Sequence, residues 1–223
     1  MAKDSLGSPS LKERGPGGEV TRLLPLLLLT LLGCTRLSYP GRTPVPGDAQ
    51  ALRALQPQFS TTLYRAQIDV VGKHLSGLLF FKRQPDNSYR VVFTNEMGLN
   101  FFDFHFAEHR FEVLHCIEQL NRKPVINQLH KDIGFMLMTD LDFARGQVAV
   151  EGQQRFYSFT SGPETTTYVT DAQTRLLSRI ENASPRKLKV VVSLTPLKAG
   201  MPDSLFIDHK LFPFTIALKQ LVR

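Results

Sequence analysis

The chain has 223 residues, of which 42% are hydrophobic and 21% charged, and its net charge is +7. This length and composition are typical of one globular domain with a tail, and they exclude a wholly disordered chain. Two cysteines exclude both a disulfide framework and a four-cysteine zinc site.

The first cysteine follows an uncharged apolar run at residues 23–33, LLPLLLLTLLG. A membrane-spanning helix needs about 20 such residues, whereas this shorter run, flanked by Arg22, suits a secretion signal. Leu31 to Cys34 resembles the bacterial lipobox, in which the cysteine receives a diacylglycerol and the signal is cut before it. We therefore expect a signal peptide at residues 1–33 and lipidation of Cys34. Thr35 follows Cys34, in place of the aspartate that in some bacteria favours retention at the inner membrane, so we expect an anchor at the periplasmic face of the outer membrane, with the inner membrane as the open alternative.

Alternatives to this interpretation remain open. The apolar run could be a buried helix, or the chain could be secreted without a lipid. The polar stretch before Arg22 is long for a signal peptide, so translation could start at Met1 or at Val20.

Residues 34–57 are predicted to hold the lipidated cysteine and a flexible tether, because residues 35–48 are rich in proline and glycine. Within this segment, residues 49–55 are predicted to form a short helix that ends before Pro57. Residues 58–223 are predicted to form a single β-rich domain.

Apolar and polar side chains alternate from Phe59 onward, which indicates half-buried antiparallel strands. In the first of them, Tyr64 and Ile68 lie on one face, and Arg65 and Gln67 on the other. Turn-forming residues separate the segments. The predicted strands are residues 63–71, 75–82, 89–94, 99–106, 110–118, 148–151, 154–159, 165–170, 176–181, 187–194, 204–208 and 214–221.

One helix interrupts the strands after Pro124, a residue that suits a first helical turn. Its predicted apolar stripe is Val125, Ile126, Leu129, Ile133, Met136 and Leu137, with Asn127, His130 and Lys131 on the other side. A long antiparallel sheet must curl or close to protect its edges. The sequence thus predicts a mainly β (α+β) fold, a curved antiparallel sheet or incomplete β-barrel of about 10–12 strands with one central helix packed on it.

This order of parts resembles the lipoprotein-carrier superfamily, which comprises the periplasmic lipoprotein chaperone and its outer-membrane receptor. The resemblance rests on the lipobox, on residues 76–82 and 89–98, and on the closing segment 212–219. It implies an incomplete barrel plugged by helices around an apolar cavity that takes acyl chains. The receptor usually carries a protruding loop with an exposed leucine, to which no segment of this sequence is assigned.

Phenylalanine is frequent, with 16 residues, and many of them fall on consecutive predicted strands. Phe102, Phe104 and Phe106 are expected on one face of their strand, and Phe101, Asp103 and His105 on the other. These rings could fill an ordinary core beneath the helix or line an open pocket. The residues predicted to line such a pocket are Leu79, Phe81, Tyr89, Val91, Phe93, Ile133 and Met136.

Polar side chains give little indication of chemistry, and we predict no catalytic residue, metal site or cofactor. Asp103, His105, His109 and His115 could meet around a metal, but their spacing matches no known metal signature. His115 and Cys116 are adjacent on a strand and point to opposite faces, which disfavours a Cys–His nucleophile pair. Cys116 is therefore expected to pack as a small apolar residue.

Basic residues are scattered rather than gathered on one dense face, which argues against nucleic-acid binding. Arg122, Lys123, Arg186, Lys187 and Lys189 are expected to form a solvated rim, although they could also lie near anionic head groups.

The sequence thus favours a non-enzymatic, monomeric, lipid-anchored periplasmic protein that binds an acyl chain, lipid or lipoprotein tail in an apolar cavity. Such a protein could serve lipoprotein or lipid trafficking to the outer membrane. The alternative is a structural or interaction lipoprotein with a filled core that docks a protein partner. A hydrolase or metal enzyme is supported only by Asp103 and His105.

Overall fold

The computed structural model describes residues 37, 39, 41–70, 72–108, 110–195, 197–198 and 201–221. The predicted signal peptide and Cys34 lie outside the described residues. In the described part, no helix is both long and apolar enough to cross a membrane. The strands and helices all fall within one unit, Arg36–Arg223.

The main elements follow the predicted order closely, since alternating side chains give each strand one buried face. The strands are β1 (Thr43–Pro44), β2 (Thr61–Val70), β3 (Lys73–Arg83), β4 (Tyr89–Thr94), β5 (Asn100–Ala107), β6 (Arg110–Cys116), β7 (Gln147–Glu151), β8 (Gln154–Ser161), β9 (Glu164–Asp171), β10 (Leu177–Ala183), β11 (Leu188–Leu194), β12 (Leu197–Lys198), β13 (Met201–Pro202), β14 (Ser204–His209) and β15 (Phe214–Gln220). The helices are α1 (Lys123–Leu137) and two 3-10 helices, Ala49–Leu55 and Phe143–Arg145.

Thirteen strands form one antiparallel sheet in the order β1-β7-β8-β9-β10-β11-β14-β15-β2-β3-β4-β5-β6, and β12 pairs with β13 separately. After the edge strand β1, the chain enters the interior of the sheet at β2, runs out to the edge at β6, and continues through α1 to β7, beside β1 at the opposite edge. It then returns until β15 pairs with β2, with Phe214 opposite Val70. The open, curved, mainly β sheet agrees with the predicted fold class. Among the described residues its thirteen strands exceed the predicted 10–12 by one, and the pair β12–β13 was not predicted.

Helix α1 contacts strands that lie far apart in the sheet order. Its His130 ring stacks on Phe111 of β6 with 4.0 Å between centroids. The carbonyl oxygen of Phe135 accepts a hydrogen bond from Tyr168 of β9. Because one helix touches both halves of the sheet, the sheet must curve around α1. His130 therefore packs against the sheet, which corrects its predicted place on the polar side of the helix.

The packed domain begins before residue 58, which corrects the predicted extent of the tether. In β1, Thr43 pairs with Val150 of β7, and Leu52 of the first 3-10 helix is fully buried. The proline-rich composition was misleading because Pro44 lies in an edge strand, where a residue without an N–H is tolerated. The predicted helix at residues 49–55 is confirmed as a 3-10 helix.

A bulge between β4 and β5 changes the face of one predicted side chain. The register shifts after Phe93, and the Phe101 ring packs 4.8 Å from the Phe93 ring, on the core side. Phe101 was predicted on the opposite face. The backbones of β3 and β4 also approach closely here, because a Cβ added at Gly77 would lie 2.1 Å from the carbonyl oxygen of Thr94.

Candidate functional site

The residues predicted to line a pocket lie in the packed core, with one exception. Leu79, Phe81, Val91, Phe93, Ile133 and Met136 are all buried in one hydrophobic cluster. Aromatic rings fill the space between them: the Phe81 ring stacks 4.4 Å from Phe59, and Phe93 lies 5.6 Å from Phe102. Tyr89 is half-buried and lines a surface cleft. The interior around these six residues is therefore filled by side chains.

Two clefts flank the segment that leaves α1. One, of about 710 Å³, lies between α1 and the β8–β9 hairpin. The other, of about 1160 Å³, lies beside the first 3-10 helix and the β3–β4 and β5–β6 turns. Thr139, Asp140, Leu141 and Asp142 line both clefts. We call residues 138–142 the exit segment.

The exit segment carries backbone strain. Met138 has a φ of 54° and Asp140 a φ of 60°, and both conformations are in the left-handed region that side chains with a Cβ rarely adopt. The buried hydroxyl of Thr139 has no hydrogen-bond partner among the described residues. An unpaired buried hydroxyl costs about 1–3 kcal/mol. The exit segment is thus a place where the end of α1 can rearrange at comparatively low cost.

A buried polar group joins α1 to the sheet, and we call Gln128, Asp132 and His209 the polar latch. The Nε2 atom of His209 lies 3.0 and 3.1 Å from the two carboxylate oxygens of Asp132. Gln128 donates a hydrogen bond of 2.9 Å to the same carboxylate. Both Asp132 and His209 are buried. Burying an ionisable pair costs desolvation energy. The contacts between Asp132 and His209 offset this cost, and they form only while α1 packs on the sheet.

The latch holds one proton between its two ionisable groups. Nδ1 of His209 lies 2.8 Å from the carbonyl oxygen of Phe214, which can only accept, so Nδ1 carries a hydrogen. Nε2 then meets the Asp132 carboxylate through one shared proton. Burial raises the pKa of Asp132 above its usual value. Burial alone would lower the pKa of His209, but the hydrogen bond and charge of Asp132 outweigh it and raise that pKa.

A second polar contact lies beside the latch. Glu164 of β9 accepts from Lys189 of β11 at 2.5 Å and from Lys131 of α1 at 3.1 Å. Burial opposes ionisation of Glu164, but the hydrogen bonds and charges of the two lysines outweigh it and lower the pKa of its carboxyl. One carboxylate shared by two ammonium groups leaves this corner with an excess of positive charge.

Three of the four residues considered as possible metal ligands have other partners in the described structure. Asp103 accepts a bidentate interaction from Arg90, at 2.9 and 2.5 Å. His105 lies 2.9 Å from the Ser88 hydroxyl and 3.3 Å from Glu112. His115 contacts the carbonyl oxygen of Asn100, and His109 lies outside the described residues. Within the described ranges, no three His, Cys, Asp or Glu side chains gather as a metal site.

Cys116 is half-buried and is a free thiol. Burial raises its pKa, so the thiol stays protonated at neutral pH. This environment suits the packing role expected from the sequence and disfavours a nucleophile.

Large apolar side chains are exposed at several places, three of which are two hairpin turns and an edge strand. The β4–β5 turn carries Met97, which is 91% exposed, and Leu99. The edge strand β6 carries Val113 and Leu114, and the β14–β15 turn carries Leu211 and Phe212.

The polar latch was not predicted from the sequence. One signal was present: Asp132 lies between Leu129 and Met136 at helical spacing, so it places a carboxylate within the apolar stripe. A charged residue at such a position is almost never buried unless it is paired. His209 had no comparable signal, because its partner is 77 residues away in the chain.

Comparison with protein-family models gives no match, and comparison with curated proteins gives none either. Among solved structures, the chain is similar to a DUF1329 family protein from Desulfovibrio piger, with 9% identity and a TM-score of 0.45, over 78% of this chain and 88% of that one. It is also similar to a domain described as an outer-membrane lipoprotein-sorting protein from Vibrio parahaemolyticus, with 7% identity and a TM-score of 0.45 over the same shares.

Proposed function

We propose that this protein is a non-enzymatic, lipid-anchored protein at the periplasmic face of the outer membrane that binds an acyl chain or lipoprotein tail. The tail would lie on the inner face of the curved sheet, in the place that α1 now covers. The observation that carries the proposal is the aromatic inner face of the sheet, covered by a helix that a small polar latch and a strained exit segment hold in place.

The filled interior requires α1 to move before a tail can enter. Four buried side chains of α1 cover the inner face: Leu129, Ile133, Met136 and Leu137. Their burial is worth roughly 6–12 kcal/mol in total, whereas full burial of a ~16-carbon acyl chain gains roughly 12 kcal/mol. The exchange is close to balanced, which suits a protein that must both take up and release its ligand.

The β4–β5 turn is our candidate for the first contact with the tail. Asn95 accepts hydrogen bonds through its side-chain oxygen from the backbone N–H groups of Met97 and Leu99, at 3.0 and 2.8 Å. These bonds hold two exposed apolar side chains outward on a rigid turn. The resemblance to the lipoprotein receptor implies an exposed apolar loop of this kind.

Photo-crosslinking of the full chain in phosphatidylcholine vesicles with a diazirine-bearing fatty acid tests the proposal. Neighbouring residues of β3 and β4 alternate between the two faces and provide an internal control. We expect label on the inner-face residues Phe81, Val91 and Phe93 and little on the outer-face residues Phe80 and Val92. Label confined to the outer face, or absent, would contradict a ligand in the interior.

The second candidate function is the docking of a protein partner, and the filled aromatic core favours it. Strand β6 lies at an edge of the sheet and exposes Val113 and Leu114. An unpaired edge can accept a further strand. This alternative predicts an unlabelled core in the fatty-acid experiment and a partner that crosslinks to Leu114.

A further inference from the structure

Two neighbouring hairpin turns form a continuous surface at one end of the sheet, and we call residues 184–187 and 210–213 the basic rim. Strands β11 and β14 are paired, with Val190 opposite His209. The backbone N–H of Lys210 donates a hydrogen bond of 2.8 Å to the carbonyl oxygen of Lys189. The turn before β11 and the turn after β14 are therefore adjacent.

The tip of the basic rim is apolar. Leu211 is 51% exposed and Phe212 is 41% exposed. The Phe212 ring stacks 5.3 Å from the buried His209 ring and 6.0 Å from the Phe214 ring. These two contacts hold Phe212 in its partly exposed position. We call these two adjacent exposed residues, Leu211 and Phe212, the wedge.

Cationic side chains lie on the same part of the surface as this wedge. Three lysines lie in or beside the two turns and a fourth lies on α1, and two carboxylates accompany them: Lys187, Lys189, Lys210 and Lys131, with Glu164 and Asp208. Lys131 and Lys189 share Glu164, and Lys210 pairs with Asp208. The surface thus keeps an excess of positive charge. A cavity of about 110 Å³ is lined by Leu211, Phe212, Lys131 and Lys189, so the wedge and these cations belong to one surface.

We propose that the basic rim docks onto an anionic phospholipid surface. Leu211 and Phe212 enter the boundary between head groups and acyl chains, while the lysines meet the phosphates. Charge complementarity selects this partner. A wedge of two residues is small beside the roughly 800 Å² per partner that a stable protein interface buries, but it suits shallow membrane insertion. The contact is reversible and does not depend on whether the core takes an acyl chain.

A Phe212→Trp variant of the full chain tests the docking, because the natural sequence contains no tryptophan. With vesicles of phosphatidylcholine and phosphatidylglycerol, we expect a blue shift of indole emission and quenching by lipids brominated near the head group. Vesicles of phosphatidylcholine alone should give neither signal. Adding a Lys187→Gln change should weaken the response to anionic vesicles about fivefold, as should high salt.

Phe206→Trp is the matched control, because Phe206 is similarly exposed but lies within β14, away from the rim. No shift with anionic vesicles, an equal shift with neutral vesicles, or an equal shift at Phe206→Trp would overturn the proposal. Leu211→Trp provides a second reporter if circular dichroism shows that Phe212→Trp does not fold. A rim that serves a protein partner would give the first of these results.

Discussion

His209 and Asp132 couple the stability of the fold to pH. The folded pair retains a proton that the unfolded chain releases above the ordinary histidine pKa of about 6.5. A raised pKa in the folded state means that stabilisation is complete below that pH and is lost as the pH rises through the folded value. We expect the free energy of unfolding, measured in urea, to fall as the pH rises above about 6.5.

A His209→Gln variant should remove this pH dependence, because Gln has no proton to release in that range. The change breaks a buried pair and should cost about 3–5 kcal/mol below pH 6.5. The double variant Asp132→Asn/His209→Gln should recover part of the loss, since it leaves no unpaired buried charge. An unchanged pH slope in His209→Gln would assign the dependence to other groups.

Gly77 lies so close to the backbone of β4 that there is no room for a Cβ atom. A Cβ at this position would lie 2.1 Å from the carbonyl oxygen of Thr94. This oxygen belongs to the backbone of a paired strand, which moves aside less easily than a flexible side chain. We expect Gly77→Ala to lower the free energy of unfolding by about 1–3 kcal/mol in urea titrations. Ser76→Ala, at an exposed neighbouring position, is the control and should change stability by less than about 0.5 kcal/mol. Equal losses for the two variants would disprove the close contact.

At the scale of elements, α1 is the part whose attachment matters for function. The latch attaches it to β14 and the Lys131–Glu164 bridge attaches it to β9. The exit segment ends it with two left-handed residues. The central pair of β2 and β15, by contrast, is joined in regular register over seven residue pairs.

Loosening the latch should therefore act most strongly on α1. In Asp132→Asn, amide hydrogen exchange measured by mass spectrometry should speed up more in residues 123–137 than in β2 and β15. Asn keeps the size of the side chain but loses the charge that His209 binds. Asn127→Asp, on the exposed side of α1, is the control for a charge change in the helix. An equal increase in α1 and throughout the sheet would show that α1 and the sheet open as one unit.

At the scale of the whole molecule, local patterns in the sequence predicted the strands well but not their arrangement. Alternation in residues 63–71 and the turn residues between strands are local signals, and all twelve predicted strands are present. The pairing of Phe214 with Val70 joins positions about 140 residues apart, and no local pattern encodes that register. The thirteenth strand, β1, was hidden in a proline-rich segment.

In the candidate site, too, local features could be predicted from the sequence and long-range packing could not. Phe81, Val91 and Phe93 face inward as their alternation predicted, yet the sequence left open whether the interior is filled or empty. That outcome depends on how side chains from distant strands and α1 fit together. The polar latch depends on the same long-range fit, because His209 and Asp132 meet only in the folded chain.

The central claim is that an acyl chain takes the place of α1 on the inner face of the sheet. Hydrogen exchange of the full chain with and without a long-chain fatty acid tests it most directly. The account predicts that the ligand lowers protection in residues 123–142 and leaves β2 and β15 as protected as before. Unchanged or increased protection of α1 on addition of the fatty acid would contradict it.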